Sequence, residues 1–191
     1  MNRVSDYLNF NTALRRGNEL LKGDKNFIVG FYIILSINTG LRVSDVLRFK
    51  HCDLIDKKEN DIITIHEKKT GKVRQLTLNK HIVKSYAYLA QRLKENGLFN
   101  IEGYIFISQK KKVFSSRSLN RIIKKIFDNQ RLNISTHSLR KSFGRQVYEN
   151  NNQSEHSLVL LSEIFCHSSV SITRRYLGLR REEIGNVYLS L

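Results

Sequence analysis

One segment of the chain places an imidazole and a guanidinium on one face of a predicted helix. Within residues 136–144, His137 and Arg140 share a helical sector with Lys141 and Gly144, at about 100° of rotation per residue. The free N–H groups at a helix start favour an anion, and a glycine one turn later permits close approach of a ligand. The segment could therefore hold a phosphate, although an ordinary basic amphipathic helix would show the same pattern.

A second candidate is Arg42, which follows Gly40 at the start of a predicted short helix. Residues 27–38 before it are apolar nearly all round, which predicts a buried helix, and an unpaired guanidinium beside such a helix is costly. Asp45, one helical turn after Arg42, is positioned to orient the guanidinium. The pair is either a structural ion pair or a guanidinium fork held ready for a phosphate.

A candidate nucleophile lies near the C-terminus. His167 precedes Tyr176 across a predicted turn and short helix, and Arg174 and Arg175 stand directly before the tyrosine. Their positive charge would favour the phenolate and so activate Tyr176. A lone tyrosine is more often a core or surface aromatic, so the assignment depends on the other two segments.

The elements that must position these residues are mostly helices. Alternating apolar residues around 63–65 and 75–78 flank the turn at residues 69–72, which predicts a β-hairpin, and residues 104–107 predict a short strand that joins its sheet or ends at its edge. The sequence therefore predicts a single compact, mainly α domain with a small antiparallel β-sheet (α+β). Helices are predicted over residues 12–22, 27–38, 41–47, 80–95, 115–128, 136–149, 154–165 and 180–190.

The charge balance points to a polyanionic partner. Thirty-three Lys and Arg residues against 17 Asp and Glu give a net charge of +16, and nucleic acid is the commonest large polyanion. The longest apolar run, residues 27–37, is shorter than the roughly 18 residues of a membrane span, so no membrane partner is expected. Adjacent ligands such as His51–Cys52 and Cys166–His167 point apart, so we expect no metal site.

Residues 115–128 combine an apolar stripe with a basic face. The apolar residues recur at helical spacing and are expected to be buried: Leu119, Ile122, Ile123, Ile126 and Phe127. The cations off that stripe are Arg117, Arg121, Lys124 and Lys125. This face is either laid along a phosphate backbone or simply solvated, and both interpretations stay open.

Taken in order, these motifs resemble the tyrosine recombinases, or phage-integrase family, from about residue 27 to the C-terminus. Thr-Gly-Leu-Arg-Val-Ser-Asp resembles the family's first-arginine box and assigns that role to Arg42. Lys-Thr-Gly-Lys resembles the catalytic-lysine turn and selects Lys69. His-Ser-Leu-Arg at residues 137–140 resembles the His-x-x-Arg box, and the segment from His167 to Tyr176 resembles the closing one.

The resemblance implies a site-specific DNA recombinase that cleaves and rejoins DNA through a 3′-phosphotyrosine, with no ATP, metal or other cofactor. Tyr176 would attack the phosphate, and Arg42 and Arg140 would stabilise the transition state. His167 would donate a further hydrogen bond, and Lys69 would protonate the leaving 5′-oxygen.

The remaining implied roles concern the pocket and the DNA surface. His137 would help to move the tyrosine proton, and Asp45 would brace the pocket. Residues expected to contact DNA are Lys72, Arg74, Arg117, Arg121, Lys124, Lys125, Lys141 and Arg175.

Members of the family usually carry a separate DNA-clamping domain before the catalytic one. We expect residues 1–191 to form a single catalytic domain with a lead-in at 1–25 and no separate N-terminal core-binding domain. The C-terminal helix at 179–191 carries an apolar stripe that either docks in trans on a neighbouring subunit or packs on its own core: Ile184, Val187, Tyr188 and Leu191.

The implied partners are double-stranded DNA, further copies of the chain in a tetrameric synapse, and accessory DNA-bending proteins. The resemblance also implies a bacterial or phage-encoded protein of a mobile genetic element, acting in the cytoplasm at the nucleoid. Two alternatives remain: a type IB topoisomerase-like nicking-closing enzyme, and a DNA-binding regulator without catalysis. The complete set of candidate residues argues against the regulator, because binding alone does not require Tyr176.

Overall fold

The computed structural model describes residues 4–128 and 132–191, so residues 1–3 of the expected lead-in lie outside the described part. It is mostly helical with one small antiparallel sheet, which confirms the predicted class. In chain order the elements are α1 (Phe10–Lys22), α2 (Phe27–Thr39), α3 (Val43–Val46), β1 (Ile62–His66), β2 (Val73–Thr77), α4 (Lys80–Glu95), α5 (Ser116–Ile126), α6 (Thr136–Asn150), α7 (Glu155–Phe165), α8 (Val170–Leu177) and α9 (Leu179–Leu189).

Helix α2 is the centre of the main core. Phe31, Ile33 and Ile34 on different sides of it are completely buried, as its all-round apolar pattern predicts. The helix packs against α1, α4 and α6. At the crossing with α1, a side chain at Gly30 would collide with the backbone of Leu21, so the close approach of the two helices requires glycine there.

The predicted hairpin is confirmed. Strands β1 and β2 pair antiparallel, with Ile63 opposite Leu76 and His66 opposite Val73. Ile63 and Leu76 are buried, whereas Val73 is exposed near the turn. The hairpin therefore anchors one face in the core and leaves residues 68–72 at its tip exposed.

The predicted third strand is wrong. Among the described residues the sheet consists of β1 and β2 alone, and Tyr104 instead forms an isolated bridge with Lys50. The segment is held by burial: Phe106 is fully buried, with its ring 5.9 Å from that of Phe31, and the Ile105 N–H donates to Phe49 O. Its apolar residues therefore fill the core beside α2 and do not extend the sheet.

The C-terminal helices surround a second, smaller core that includes Leu158, Leu161, Phe165 and Leu177. The stripe on α9 does not pack on its own core, because Ile184 is 50% exposed and Tyr188 74% exposed. On α5, by contrast, Leu119 and Ile123 are fully buried. Along the described ranges, no helix combines the length and apolar character of a membrane span.

Candidate active site

Arg140 lies on α6 with its guanidinium buried between two helix ends. Its Nη1 donates to Gly40 O at 2.5 Å and its Nη2 to Phe165 O at 3.0 Å. The guanidinium carbon also lies 4.4 Å from the centre of the Phe165 ring. These carbonyls close α2 and α7, where the helix dipoles concentrate negative charge. Burial lowers the pKa of Arg140 to about 10, so it remains cationic at neutral pH.

Arg42 reaches the same carbonyl from the other side. It stands directly before α3, and its Nη2 donates to Phe165 O at 3.0 Å. The backbone oxygen at the end of α7 is therefore shared by Arg42 and Arg140, which come from distant parts of the chain. Their convergence creates a concentrated positive field suited to an anion.

The carboxylate partner of Arg42 is Glu67, not Asp45 as the sequence indicated. Arg42 Nη1 lies 2.5 Å from Glu67 Oε2, whereas the buried Asp45 accepts the Lys68 N–H at 2.9 Å. Asp45 thus braces the base of the hairpin turn and leaves the arginine to Glu67. The signal for Glu67 was a lone acid at the end of a strand, directly before a basic turn.

Tyr176 on α8 lies beside the two arginines, Arg42 and Arg140. Its ring centre is 5.3 Å from that of His167 and 5.1 Å from Lys141 Nζ. Among the described residues its buried hydroxyl has no hydrogen-bond partner of ordinary geometry. Burial raises the pKa of Tyr176 to about 12, although the charges of Arg140 and Arg42 favour the phenolate.

The two arginines before Tyr176 do not activate it, which corrects the sequence-based expectation. Arg174 pairs with Glu155 and Glu183, and Arg175 is exposed. Successive helical residues point about 100° apart, so α8 turns both side chains away from the face that carries Tyr176. The positive charge that acts on Tyr176 comes instead from Arg140 and Arg42, which lie far from it in the sequence.

His167 follows the end of α7, where Cys166 adopts a left-handed conformation with φ of 52°. Its Nδ1 lies 2.9 Å from Thr173 Oγ1 on α8. Where that nitrogen accepts from the threonine hydroxyl, Nε2 carries the proton and can donate to a ligand. Burial and the charges of Arg140 and Arg42 lower the pKa of His167 to about 4, so the ring is neutral at neutral pH.

His137 and Lys69 line the outer side of the site. His137 lies in the first turn of α6, capped by Ser135, whose hydroxyl accepts the His137 N–H at 3.1 Å. Partial burial lowers the pKa of His137, and so do the charges of Arg140, Lys141 and Lys69. Lys69 is exposed in the hairpin turn and has no partner among the residues described, yet its charge acts on His137.

The expected DNA contacts divide into two groups. One group is exposed, as a surface contact requires: Lys72, Arg117, Arg121, Lys124, Lys125 and Arg175. The other two face inward, since Arg74 donates to Thr39 O at 2.8 Å and Lys141 donates to Ser5 O at 2.7 Å. Arg74 and Lys141 are engaged within the chain, so they differ from the exposed group, and their DNA contacts stay predictions.

The histidine and cysteine residues that the structure describes outside this site form no metal-binding cluster. Within residues 4–128 and 132–191, no group of three or more His, Cys, Asp or Glu side chains is placed to hold a metal ion. His51 is buried with its Nδ1 3.1 Å from the Tyr86 hydroxyl. Its role is structural.

The chain is similar to recombinases of known structure. It superposes on the XerH site-specific recombinase in a post-cleavage complex with palindromic difH substrate, with a TM-score of 0.70 and 23% identity over 98% of this chain and 54% of that one. For the XerA recombinase the TM-score is 0.68, with 20% identity over 100% of this chain and 65% of that one. The chain thus spans between half and two thirds of the length of these two proteins, and the likeness establishes the fold.

Sequence comparison identifies the family. The probable integrase/recombinase YoeC of Bacillus subtilis (strain 168) is 31% identical over 160 residues, which covers 83% of this chain and 81% of that protein. The model of the phage integrase family matches residues 11–183. That match spans all the candidate catalytic residues, and the chain belongs to the phage integrase family.

Proposed function

We propose that the protein is a site-specific DNA recombinase that cleaves and rejoins DNA through a 3′-phosphotyrosine at Tyr176, without ATP or metal. The observation that carries this proposal is the shared acceptor: Arg42 and Arg140 both donate to Phe165 O. The Phe165 ring lies 5.4 Å from that of Tyr176. Phosphoryl transfer to a tyrosine needs cations that stabilise the charge of the transition state beside the hydroxyl, and a pair of guanidinium groups near Tyr176 meets that need.

In the cleavage step, Tyr176 Oη forms a bond to the scissile phosphorus, and the bond from phosphorus to the 5′-oxygen breaks. The products are a 3′-phosphotyrosine and a free 5′-hydroxyl. The new ester conserves the energy of the phosphodiester, so the reverse attack by a 5′-hydroxyl rejoins DNA without a nucleotide.

The arginines act on the nonbridging oxygens. A phosphodiester carries a full negative charge, so its oxygens attract a guanidinium by charge as well as by hydrogen bonding, whereas a neutral carbonyl offers only its dipole. The phosphate would therefore take over the Arg42 and Arg140 bonds now made to Phe165 O. His167 would add a third donor through Nε2, and its neutral state leaves one nitrogen for Thr173.

Proton transfer needs one group on each side of the phosphate. The raised pKa of Tyr176 keeps it a phenol at neutral pH, so the attack needs a proton acceptor. His137, whose pKa is lowered, is neutral and suited to that role. Lys69 would protonate the leaving 5′-oxygen, a general-acid step of about 10²–10⁴-fold in rate.

The wider surface fits double-stranded DNA. The exposed cations of α5, together with Lys72 and Arg175, supply positive charge for the phosphate backbone in a chain of net charge +16. We propose that residues 1–191 act as a catalytic domain at the DNA of a bacterial or phage element, in the cytoplasm and nucleoid. Accessory DNA-bending proteins would assist the pairing of sites.

A type IB topoisomerase-like enzyme would use the same catalytic residues. The exposed stripe on α9 favours recombination, because it provides an unpartnered apolar face for a second subunit. Recombination requires paired sites in a tetrameric synapse, whereas nicking and closing requires one subunit. Joining of two labelled duplexes, set against relaxation of a supercoiled plasmid, separates the two activities.

Covalent trapping tests the proposal. A pool of nicked duplexes with randomised sequence would be incubated with the protein, and adducts stable in SDS would be isolated and their DNA sequenced. We expect an adduct that is lost in Tyr176→Phe. An adduct that survives this substitution would contradict the nucleophile, and no adduct with the wild-type protein would contradict the activity.

A further inference from the structure

Glu67 is a buried acid that joins two parts of the site. It directly follows β1 at the start of the hairpin turn, is only 1% exposed, and has no role in the scheme above. Its Oε2 lies 2.5 Å from Arg42 Nη1. The same oxygen accepts a hydrogen bond from Thr70 Oγ1 at 2.8 Å. One carboxylate oxygen therefore connects a phosphate-binding arginine to the residue next to Lys69.

The backbone of Glu67 also closes the turn that carries Lys69. Its N–H donates to Lys72 O at 3.0 Å, and its carbonyl accepts the Gly71 N–H at 2.9 Å. On the other side of the lysine, the Lys68 N–H is held by Asp45 Oδ1. The turn is thus fixed at its base while the Lys69 side chain stays exposed.

Glu67 is charged in the folded chain. Burial raises its pKa, but the hydrogen bonds from Thr70 and Arg42 outweigh burial and lower it overall. Its second oxygen, Oε1, is buried and has no hydrogen bond of ordinary geometry among the described residues, although the Cys166 thiol also helps to lower the pKa of the carboxyl. A buried carboxylate with one unsatisfied oxygen is expensive to keep, and a well-packed apolar residue is often at least as stable. Its presence suits function better than stability.

We propose that Glu67 is a positioning residue that fixes where Lys69 lies relative to Arg42. This inference rests on the proposed function, in which Arg42 holds a nonbridging oxygen and Lys69 protonates the leaving oxygen of the same phosphate. Those two oxygens belong to one phosphorus centre, so the lysine must be placed relative to the arginine. The bonds of Arg42 and Thr70 to Glu67 Oε2 supply that link between core and turn.

The experiment compares two substrates of the sequence recovered by trapping. In one, sulfur replaces the leaving 5′-oxygen, so cleavage breaks a P–S bond and releases a thiolate that needs no proton, because thiols are far more acidic than alcohols. The other is ordinary DNA, in which the leaving oxygen takes the Lys69 proton. The ratio of the two cleavage rates reports proton delivery and is insensitive to a general loss of stability.

Thr70→Val loses the bond to Glu67 and the bond that Thr70 Oγ1 accepts from the Lys72 N–H at 3.3 Å, but it leaves Arg42 paired with Glu67. We expect it to cleave ordinary DNA about tenfold slower and the sulfur substrate at the wild-type rate. Glu67→Gln should be slower by about tenfold or more on ordinary DNA and only partly restored by sulfur, because Arg42 is also released. Lys69→Ala gives the reference for full restoration. Glu59→Gln and Thr64→Val, which change exposed residues near or on β1 in the same way, serve as matched controls.

Wild-type rates in both variants on ordinary DNA would overturn the inference, and so would equal losses on the two substrates. If Glu67→Gln fails to fold, the exposed Thr70→Val decides alone. Failure of the proposed function looks different, since the wild-type protein would then give no Tyr176-dependent adduct in the same assay.

Discussion

The pocket around Arg140 and Tyr176 and the hairpin turn around Lys69 place their candidate functional groups in opposite environments. In the pocket, Arg140 is buried and makes two bonds to helix ends, and the Tyr176 hydroxyl is enclosed. In the turn, Lys69 is exposed and only its neighbours are anchored. The groups that would hold the phosphate are thus preorganised by the core, whereas the group that would deliver the proton depends on a short turn.

The largest effects are expected from two substitutions that test this contrast, Arg140→Ala and Lys69→Ala. We expect Arg140→Ala to slow cleavage by about 10³-fold. It should also lower the melting temperature, because the hydrogen bonds that join Gly40 O and Phe165 O through the guanidinium are lost. Lys69→Ala should slow cleavage by about 10²-fold with an unchanged melting temperature. Single-turnover cleavage and thermal melts measure both. Equal losses of stability would remove the distinction between pocket and turn.

A glycine in each region gives a second test. Gly40 and Gly71 both have left-handed backbones, with φ of 60° and 67°. A side chain at Gly40 would meet the Phe143 ring, whereas one at Gly71 would enter open space. We expect Gly71→Ala to lose about 1 kcal/mol of unfolding free energy from strain alone, and Gly40→Ala about 2–4 kcal/mol.

Urea unfolding measures the difference between these glycine variants. Gly40→Ala should also slow cleavage, since Gly40 O anchors Arg140. Equal stability of the two variants would show that the Phe143 ring moves aside for a side chain at residue 40 at little cost in free energy.

The pH dependence of stability tests the pocket through His167. Its pKa of about 4 lies below the ordinary 6.5, so between these values the unfolded chain binds more protons. The contribution to stability is complete above about pH 6.5 and is lost as the pH falls toward 4.

We expect His167→Gln to lose stability less steeply than the wild-type protein between pH 7 and 4 in urea titrations. The pKa of His51 is also about 4 because of burial, but His51 is present in both proteins and cancels in the difference. Identical curves would show that His167 is not buried in solution as it is here.

The smallest expected effect lies outside both regions, on α5. Lys124 and Lys125 are exposed beside the buried Ile123. Replacing either lysine by alanine should lower the salt dependence of log Kd by about one unit per phosphate contact, with little change in cleavage at saturating DNA. Binding isotherms at several salt concentrations measure the slope. An unchanged slope would mean that this face is only solvated.

Local patterns predicted the elements and their faces well. The helical spacing of His137 and Arg140 placed both on the site side of α6, and the alternation of apolar and polar residues around Ile63 and around Leu76 identified the hairpin. Such features depend on residues close in sequence, for which periodicity is informative.

Contacts between distant segments were not predictable in the same way. The sequence singles out Arg42, but its partner Glu67 lies 25 residues further along the chain, at the hairpin turn, whereas Asp45 is the nearer acid in sequence. Charge alone does not reveal which basic residues meet a carbonyl inside the fold, as Arg74 and Lys141 do. Proximity along the chain favoured Arg174 for Tyr176, whereas the folded structure supplies Arg140.

The carbonyl of Phe165 has a consequence for selectivity. While both arginines are satisfied by it, a small free anion such as inorganic phosphate must compete with a tethered ligand that is always present. A long duplex can outcompete that tethered ligand, because its many backbone contacts elsewhere on the surface hold one phosphodiester in place. The shared carbonyl would thus protect the site against cellular phosphates and reserve it for DNA.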